Sequence, residues 1–369
     1  MAGKKKTVFV GMSGGVDSSV AAALLKKQGY NVVGIHLKCW NVDGCADRDA
    51  EDARRAAETL GIPFYTLDFE DEYKKRVVEY MVEGYRKGIT PNPDVMCNKE
   101  IKFGLFLEHA LGMGADYVAT GHYIKSQISN LKNKKIGYSL YQAKDKNKDQ
   151  SYFLWTLTQK QLKHCLFPIG NYTKPEVRKL AKKFRLPNAE KKDSQGVCFL
   201  GQITLQDFLR EYIPAQTGVI KATDGKVVGE HHGIFNYTIG QRKGLHLNVQ
   251  AGKEHPGSPY YVASKDMATN TITVAEGENN KALYRKEVEL TNVHFINPIH
   301  QLTTSTSIYA RVRYRAPLAK ANLSGKAGSG PAGQRAKLIF AVPQKFIAEG
   351  QSAVFYAKSG EMLGGGVIL

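Results

Sequence analysis

Near the amino terminus the sequence runs TVFVGMSGGVDSSVAAALLKKQ (Thr7–Gln28). The apolar run TVFVGM is typical of a buried strand, and Ser18–Gln28 has the small and apolar residues of a buried helix. Between them lies SGGVDSS, whose two glycines permit a tight turn and a close approach of backbone N–H groups to an anion. Serine hydroxyls and the positive end of the helix dipole would further stabilise a bound anion. The segment predicts a strand, a phosphate-binding loop and a helix.

The same alternation of strand and helix continues downstream. YNVVGIHL, IPFYTLDF and ADYVATGHY have the pattern of further strands, and Ala46–Leu60 has the pattern of a helix. KDQSYFLWTLTQKQLKHC and KPEVRKLAKKFR favour a helical portion at the end of this region. Such alternation predicts an α/β domain with a parallel sheet and a ligand site at the carboxyl ends of its strands. We place this domain at residues 1–203.

Two regions of β character follow. Residues 204–282 are rich in Gly and Tyr and contain short strand-like runs such as KVVGEH, PYYVASKD and TITVAE. Residues 283–369 contain alternating stretches such as SIYARVRYRA, AKLIFAVP and SAVFYA. These patterns predict a small, mostly-β central domain and a C-terminal β-barrel or sandwich.

Composition narrows the class of protein. The 369 residues carry 52 Lys and Arg against 34 Asp and Glu, a net charge of +18, which favours a polyanionic partner such as nucleic acid. A solubilising surface charge is the alternative. No apolar run is long enough to span a bilayer, and MAGKKKTVFVGM lacks the apolar core of a signal peptide, so we expect a cytoplasmic protein. The five cysteines form no CxxC pair, which argues against a four-ligand zinc site.

Two cysteines stand in polar segments, TPNPDVMCNKEIKF (Thr90–Phe103) and KKDSQGVCFLG (Lys191–Gly201). We expect the two prolines of the first to fix an extended segment before a helix at Lys99–Leu111. Cys97 would then lie at a helix N-terminus, where the pKa of a thiol falls. Cys198 falls in a loop that contains glycine and polar residues. The remaining cysteines are interpreted as buried apolar fillers: Cys39, Cys45 and Cys165.

SGGVDSS resembles the loop of the ATP pyrophosphatase group of enzymes, which bind the pyrophosphate of ATP and adenylate an oxygen of their substrate. It lacks the lysine of GxxxxGK[ST] loops. Asp17 can hold a Mg²⁺ ion that neutralises the phosphates. This resemblance leaves amide formation, amidation of a nucleotide and thiolation open.

Both cysteine segments resemble those of the bacterial tRNA-specific 2-thiouridylase family, which also occurs in mitochondria. The similarity extends over essentially the whole chain, through GIHLKCW (Gly34–Trp40), ATGHY (Ala119–Tyr123), KDQSYFL (Lys148–Leu154), YTIGQRKGL (Tyr237–Leu245), ARVRYR (Ala310–Arg315) and GQSAVFY (Gly350–Tyr356). It implies an adenine-nucleotide α-hydrolase-like α/β domain with a pyrophosphate loop, a central domain and a C-terminal barrel that binds tRNA.

The resemblance also implies a reaction. ATP, with Mg²⁺, would adenylate the 2-oxygen of the wobble uridine (position 34) in the tRNAs for Lys, Glu and Gln. Cys198 would carry sulfur as a persulfide, Cys97 would be the nucleophile, and Asp94 would act as a general acid or base near the target uracil. Sulfur could attack directly or after release as hydrosulfide. A sulfur donor protein, either a cysteine desulfurase or a relay, is implied, and we expect a monomer.

Binding residues follow from the same resemblance. Those for ATP are Gly11, Met12, Ser13, Gly14, Gly15, Val16, Asp17, Ser18, Leu37 and Gly121. Those for the target base are Asn92, Pro93 and Asp94, and those for tRNA are His122, Lys148, Asp149, Gln150, Arg313, Tyr314 and Gln351. Independently, the alternation in Arg311–Arg315 predicts three cations on one face of a strand, facing either phosphates or solvent. Leu37 and Cys39 depart from the Met and Asn that the family often has.

Two other functions use part of this pattern. An ATP-dependent ligase or amidotransferase of small molecules would explain the loop but neither the basic tail nor the paired cysteines. A tRNA-binding protein without catalysis would leave SGGVDSS and both cysteines unexplained. Thiolation accounts for all of these features.

Overall fold

The computed structural model of the protein describes residues 5–40, 45–130, 136–192, 203–247, 258–297, 305–325 and 335–369. The strands in this part of the chain are β1 (Thr7–Gly11), β2 (Asn31–Lys38), β3 (Phe64–Asp68), β4 (Tyr117–Ala119), β5 (Ile124–Asn130), β6 (Ile136–Gln142), β7 (Cys165–Leu166), β8 (Thr217–Ala222), β9 (Val227–His232), β10 (Tyr260–Asp266), β11 (Thr271–Glu276), β12 (Tyr284–Phe295), β13 (Ser305–Arg311), β14 (Ala319–Ser324), β15 (Ala336–Lys345), β16 (Ser352–Tyr356) and β17 (Glu361–Ile368).

The α-helices described are α1 (Val16–Lys27), α2 (Cys45–Leu60), α3 (Glu70–Tyr73), α4 (Glu79–Arg86), α5 (Pro93–Met96), α6 (Phe106–Gly112), α7 (Gln159–Leu162), α8 (Lys174–Lys183) and α9 (Leu205–Arg210). A π-helical stretch, Lys74–Val78, joins α3 to α4, and another, Cys97–Leu105, joins α5 to α6. Short 3-10 turns lie at Ser151–Phe153, Ile234–Asn236 and Lys281–Leu283. Within this part of the chain, no helix is both long and apolar enough to cross a bilayer.

The amino-terminal sheet is parallel, as predicted, with strand order β3-β2-β1-β4-β7. The centre of β1 is buried on both faces, which explains its continuous apolar run VFV. One face packs against α1, α2 and α8. The other face packs in a core that also contains the helix α5–α6 and residues of β16 and β17.

The middle of the chain forms a four-stranded sheet, β10-β11-β8-β9, in which β11 and β8 run parallel and the other pairs antiparallel. The C-terminal region is a closed barrel of six strands, β12-β15-β14-β13-β16-β17, because β17 pairs back onto β12. Closure leaves no open sheet edge within the barrel. The predicted fold class is confirmed, and of the two predicted forms of the tail the barrel is correct.

The lysine-rich stretch between Lys125 and Lys148 contains a hairpin, β5–β6, that was not predicted. Strand β6 pairs with β17 of the barrel through Tyr141 and Leu140, so the hairpin extends the barrel sheet. Ser139 donates a 2.7 Å hydrogen bond to Glu361 across this junction. A segment of the α/β domain is thereby hydrogen-bonded to the C-terminal barrel.

Three local predictions are wrong. KDQSYFLWTLTQKQLKHC is not one helix: it contains a 3-10 turn, the single turn α7 and the start of β7. The segment after Asn92 is helical rather than extended, because Asn92 caps a helix whose first residue is Pro93. Strand β13 ends at Arg311, so Arg313 and Arg315 lie in the following turn and not on the same strand face.

Candidate active site

The phosphate loop connects the end of β1 to α1. Gly14 has φ +72°, and a Cβ there would lie 2.3 Å from the Asp49 carbonyl oxygen, so only glycine fits. Ser18 Oγ accepts from the Ser13 amide at 3.2 Å and donates to the Gly15 carbonyl oxygen at 3.1 Å. These bonds hold the loop in a turn at the N-terminus of α1, the arrangement that binds anions through backbone amides.

Asp17 lies in the first turn of α1 and is held by two side chains that sequence reasoning did not select. Lys174 Nζ lies 2.7 and 2.8 Å from its two carboxylate oxygens, and Tyr123 donates to Oδ1 at 2.8 Å. Lys174 is buried, at the start of α8. The sequence signal for Lys174 was a lysine followed by proline at the start of KPEVRKLAKKFR. Nothing in the sequence indicated that its partner is Asp17, 157 residues away.

Other predicted nucleotide residues surround this loop. A Cβ at Gly121, after β4, would lie 2.6 Å from the Ser18 amide nitrogen, so the β4 loop packs directly on α1. Leu37 lies near the carboxyl end of β2, next to β1 in the sheet. Asn188, which was not predicted, donates 2.9 Å hydrogen bonds to the Gly14 carbonyl oxygen and to Ser19 Oγ. The ends of β1, β2 and β4 therefore meet at the loop, although contact of these residues with ATP stays a prediction.

Asp94 and Cys97 lie on one continuous helix. Asn92 Oδ1 accepts a 3.2 Å hydrogen bond from the Val95 amide and caps it. Cys97 is buried and begins the π-helical stretch, one turn after the helix start. The expectation that Cys97 stands at a helix N-terminus is therefore wrong, and the dipole argument for its thiolate loses its geometric basis. A π-helical stretch within an α-helix is frequent at functional sites.

Asp94 and His122 share a charged neighbour. Burial raises the pKa of Asp94, and the Lys102 cation opposes this shift. Burial lowers the pKa of His122 well below its ordinary value, with Lys102 adding to the effect. His122 Nδ1 lies 2.8 Å from Thr120 Oγ1 and its ring packs 5.9 Å from that of Phe103. The helix of Asp94 and Cys97 thus packs beside the β4 loop that contacts the phosphate loop.

The other cysteines are placed as follows. Cys198 lies outside the described residues, so its predicted role stays a prediction. Cys165 is buried, its Sγ donates to the Gln161 carbonyl oxygen at 3.1 Å, and burial raises the pKa of its thiol, as expected of a filler. Cys39 is half-buried against the core. The side chain of Cys45 is not among those described.

Lys148, Asp149 and Gln150 lie in the turn after β6. Gln150 binds the Tyr123 backbone twice, each bond 2.9 Å long, and so fixes the turn beside His122. Asp149 is 2% exposed and accepts hydrogen bonds from the Ala143 amide at 3.0 Å and from Ser151 Oγ at 2.9 Å. We therefore expect Asp149 to order this turn rather than to reach RNA itself.

The arginines of ARVRYR have different surroundings. Arg311 is buried, 3.6 Å from Asp149 and 5.0 Å from the centre of the Tyr356 ring, so its predicted exposure on a strand face is wrong. Arg313 is exposed. Tyr314 packs on Phe153, with ring centres 4.5 Å apart. Of the three cations, Arg313 and Arg315 remain exposed in the turn.

Gln351 lies in the turn before β16. Its Nε2 donates to the carbonyl oxygens of Thr90 and Pro91 at 3.0 and 3.2 Å. The family resemblance implied only a tRNA contact for Gln351. The structure brings it to the segment that leads to Asp94 and Cys97.

Three family models match the chain in order. Residues 6–202 match a model described as tRNA methyl transferase HUP domain, and residues 206–276 match tRNA methyl transferase PRC-barrel domain. Residues 285–368 match Aminomethyltransferase beta-barrel domain.

Similar solved structures are distant. One is an NMN synthetase from Francisella tularensis, 17% identical, with a TM-score of 0.35 and coverage of 56% of this chain and 72% of that one. Another is a 4-thiouridine synthetase–RNA complex with bound ATP, 17% identical, with a TM-score of 0.33 and coverage of 57% and 50%.

Curated relatives are much closer. The tRNA-specific 2-thiouridylase MnmA 1 of Geobacillus kaustophilus (strain HTA426) is 47% identical over 96% of this chain and 93% of its own length. The tRNA-specific 2-thiouridylase MnmA of Streptococcus thermophilus (strain CNRZ 1066) is 43% identical over 99% of this chain and 95% of its own length. With this identity over nearly its full length, the chain belongs to the tRNA-specific 2-thiouridylase family.

Proposed function

We propose that this protein is an enzyme that uses ATP to thiolate uridine in tRNA. The observation that carries the proposal is the placement of Asp94 and Cys97 on one helix that packs beside the β4 loop, which itself contacts the phosphate loop. Family membership supports tRNA as the substrate, as does the net charge of +18. Within this reaction, we propose position 34 of the tRNAs for Lys, Glu and Gln as the target, with 2-thiouridine, AMP and pyrophosphate as products.

The chemistry requires activation first, because a carbonyl oxygen of uracil is a poor leaving group. The 2-oxygen attacks the α-phosphorus of ATP, and pyrophosphate leaves. The terminal sulfur of a Cys198 persulfide then bonds to C2, and AMP departs. The Cys97 thiolate attacks Cys198 Sγ, which releases 2-thiouridine and leaves a Cys97–Cys198 disulfide for reduction by a thiol. A cysteine desulfurase or sulfur relay protein supplies the persulfide, and the enzyme acts as a monomer in the cytoplasm.

Asp94 is the group we assign to proton transfer. Its raised pKa brings it closer to neutral pH than an ordinary carboxyl group, which suits an acid–base role. Asn92 and Pro93 lie beside it at the helix start and are proposed to contact the uracil. Buried His122 stays neutral, so we assign it a hydrogen-bonding role towards RNA and not a charge.

The nucleotide site fits ATP through the amides of the loop and the N-terminus of α1. Mg²⁺ usually binds through one or two carboxylates, with phosphate oxygens and water as its other ligands. Asp17 offers one carboxylate, so the site fits a Mg²⁺ ion that arrives with ATP, provided that Lys174 yields part of its contact. Asp17 would hold the ion, which would neutralise phosphate charge. Lys174 would then be available to the phosphates.

Each of the three regions has a proposed role of its own. We propose residues 1–203 as the catalytic domain, 204–282 as the central domain and 283–369 as the tRNA-binding barrel. The turn of Tyr314 reaches the helix of Asp94 through Phe153, whose carbonyl oxygen accepts from Asn98 of that helix at 3.3 Å. The turn of Gln150 reaches it through His122, whose ring packs on Phe103 of the same helix. This placement supports RNA contact through both turns.

A reconstituted assay tests the function. The purified protein, ATP, a persulfide donor and unmodified tRNA should give thiolated uridine, identified by nucleoside mass spectrometry. Exchange of oxygen for sulfur differs in mass from methylation, so the assay also separates thiolation from the methyl transfer in the family-model descriptions. Cys198→Ala and Cys97→Ala should abolish the product, whereas Cys39→Ala should retain it. Undiminished thiolation by both variants would refute the two-cysteine mechanism.

A further inference from the structure

The barrel contacts the segment that precedes Asp94 and Cys97. The Thr90 amide donates a 2.7 Å hydrogen bond to the Glu349 carbonyl oxygen, and Gln351 Nε2 donates to the carbonyl oxygens of Thr90 and Pro91. Three hydrogen bonds therefore connect a barrel turn with two consecutive residues of the α/β domain. The partners are 260 and 261 residues apart for the Gln351 bonds, so folding of the barrel is required to form them.

This contact depends on a glycine. Gly350 has φ +86°, and a Cβ there would lie 2.9 Å from the Thr90 carbonyl oxygen. Tyr152 donates to the Ser352 carbonyl oxygen at 2.9 Å, and Trp155 Nε1 donates to Ser352 Oγ at 3.0 Å. The turn Glu349–Ser352 is thus anchored on the same domain that it supports, which limits its freedom to move away from Thr90.

The residues just before α5 belong to neither a helix nor a sheet. Thr90 and Pro91, which Gln351 contacts, lie between α4 and α5 outside any sheet, and Pro91 lacks a backbone N–H group. Buried carbonyl groups need donors, and here the barrel supplies them. The central domain adds a contact, because Thr238 Oγ1 lies 3.4 Å from Thr90 Oγ1.

We propose that Gln351 is a positioning residue that holds the Thr90–Cys97 segment in its reactive geometry, so that the barrel acts on the chemical step as well as on RNA binding. This inference rests on the proposed thiolation. A misplacement of about 1 Å at a reacting group costs on the order of 100-fold in rate. Loss of the two hydrogen bonds therefore lowers kcat, whereas loss of an RNA contact alone raises the tRNA Kd.

Gln351→Met tests this, because it keeps the length of the side chain and removes its donors. We expect kcat to fall between about tenfold and 100-fold, a larger effect than any rise in the tRNA Kd from a lost Gln351 contact. Gln351→Lys restores a donor within reach of both carbonyl oxygens and should recover most of the lost kcat. Gln344→Met is the matched control, because the Gln344 amide donates within its own strand, to the Val342 carbonyl oxygen. It should behave like the wild type.

Hydrogen exchange of the tRNA-free protein gives an answer that does not depend on activity. In Gln351→Met, the peptide containing Thr90–Met96 should exchange faster, while peptides of the barrel strands keep wild-type rates and so show that the variant is folded. Wild-type exchange in that peptide, or a raised tRNA Kd with unchanged kcat, would overturn the positioning role. Absence of thiouridine from the wild type would instead refute the proposed function.

Discussion

Asp94 and Lys102 show how neighbouring groups on one helix set the chemistry of a residue. The half-buried carboxyl group is harder to ionise because burial disfavours its charged form. Lys102 limits this effect on the pKa of Asp94, whereas the pKa of His122 is lowered mainly by burial, to which Lys102 adds. Burial therefore sets the direction of both shifts, and the same cation opposes the first and adds to the second.

A first prediction concerns the pH profile of thiolation. The limb of the profile that reports Asp94 should have its midpoint at a pH above the ordinary carboxyl pKa of about 3.9, because burial raises the pKa of Asp94 in the folded protein. Lys102→Met should shift this limb to higher pH, since it removes the cation that stabilises the carboxylate. Single-turnover rates measured across pH provide the test, with exposed Lys99→Met as control. A limb that stays in place or moves to lower pH would contradict the assignment.

A second prediction concerns the nucleotide. Lys174→Met should raise the KM for ATP by about tenfold to 100-fold, because it leaves the Asp17 carboxylate without its cation where phosphates bind. Pyrophosphate release at varied ATP concentrations measures the effect. Lys179→Met, on the exposed side of the same helix, should leave the KM unchanged. An unaltered KM in Lys174→Met would place the phosphates away from this pair.

At the scale of elements, the helix that begins at Pro93 explains one wrong prediction. Proline was interpreted as a helix breaker. At the first position of a helix, however, a backbone N–H group has no acceptor within the helix, so its absence from proline costs no hydrogen bond, and Asn92 caps the turn. The whole helix therefore starts earlier than Lys99, and Cys97 moves from its end to its interior.

The junction between the β6 turn and the barrel gives a third prediction. Arg311 and Asp149 are both buried, and removal of one partner leaves the other charge uncompensated. Arg311→Met should lower the free energy of unfolding by about 3 kcal/mol. Exposed Arg313→Met should change it by less than about 0.5 kcal/mol. Thermal and denaturant unfolding compare the two, and equal stabilities would show that the buried pair contributes nothing.

At the scale of the molecule, the three regions share contacts around one segment. A single hydrophobic core joins Phe9 of the sheet, Phe208 of α9 and Tyr356 of the barrel. The Thr90–Cys97 segment contacts both the barrel and the central domain. We therefore expect the isolated α/β domain to bind ATP but to lose the geometry required for thiolation.

A fourth prediction concerns salt. Binding of tRNA should weaken steeply as salt rises, because cations on the protein displace counterions from phosphates. Arg313→Ala should reduce the slope of log K against log[salt] by about one if it contacts a phosphate. Lys226, paired with Asp224 in the central domain at 3.0 Å, provides a control in Lys226→Ala. A slope unchanged by Arg313→Ala would remove Arg313 from the phosphate-binding surface.

The sequence by itself determined the phosphate loop, the parallel sheet and the β character of the tail. These depend on local order: a turn between a strand and a helix, or the spacing of apolar residues, is complete within about 20 residues. Its motifs also selected Asp94 and Cys97. The short 3-10 turns and the hairpin β5–β6 were missed because apolar residues do not recur in them with a clear helical or strand periodicity.

Only the tertiary structure decided which groups surround those residues. Lys174 reaches Asp17 across 157 positions, and Gln351 reaches Thr90 across 261. Arg311 is enclosed by Asp149 and Tyr356, while Arg313 stays exposed two residues later. A local pattern contains no information about such partners, because burial and pairing arise when distant segments pack together and compete for the same donors and charges.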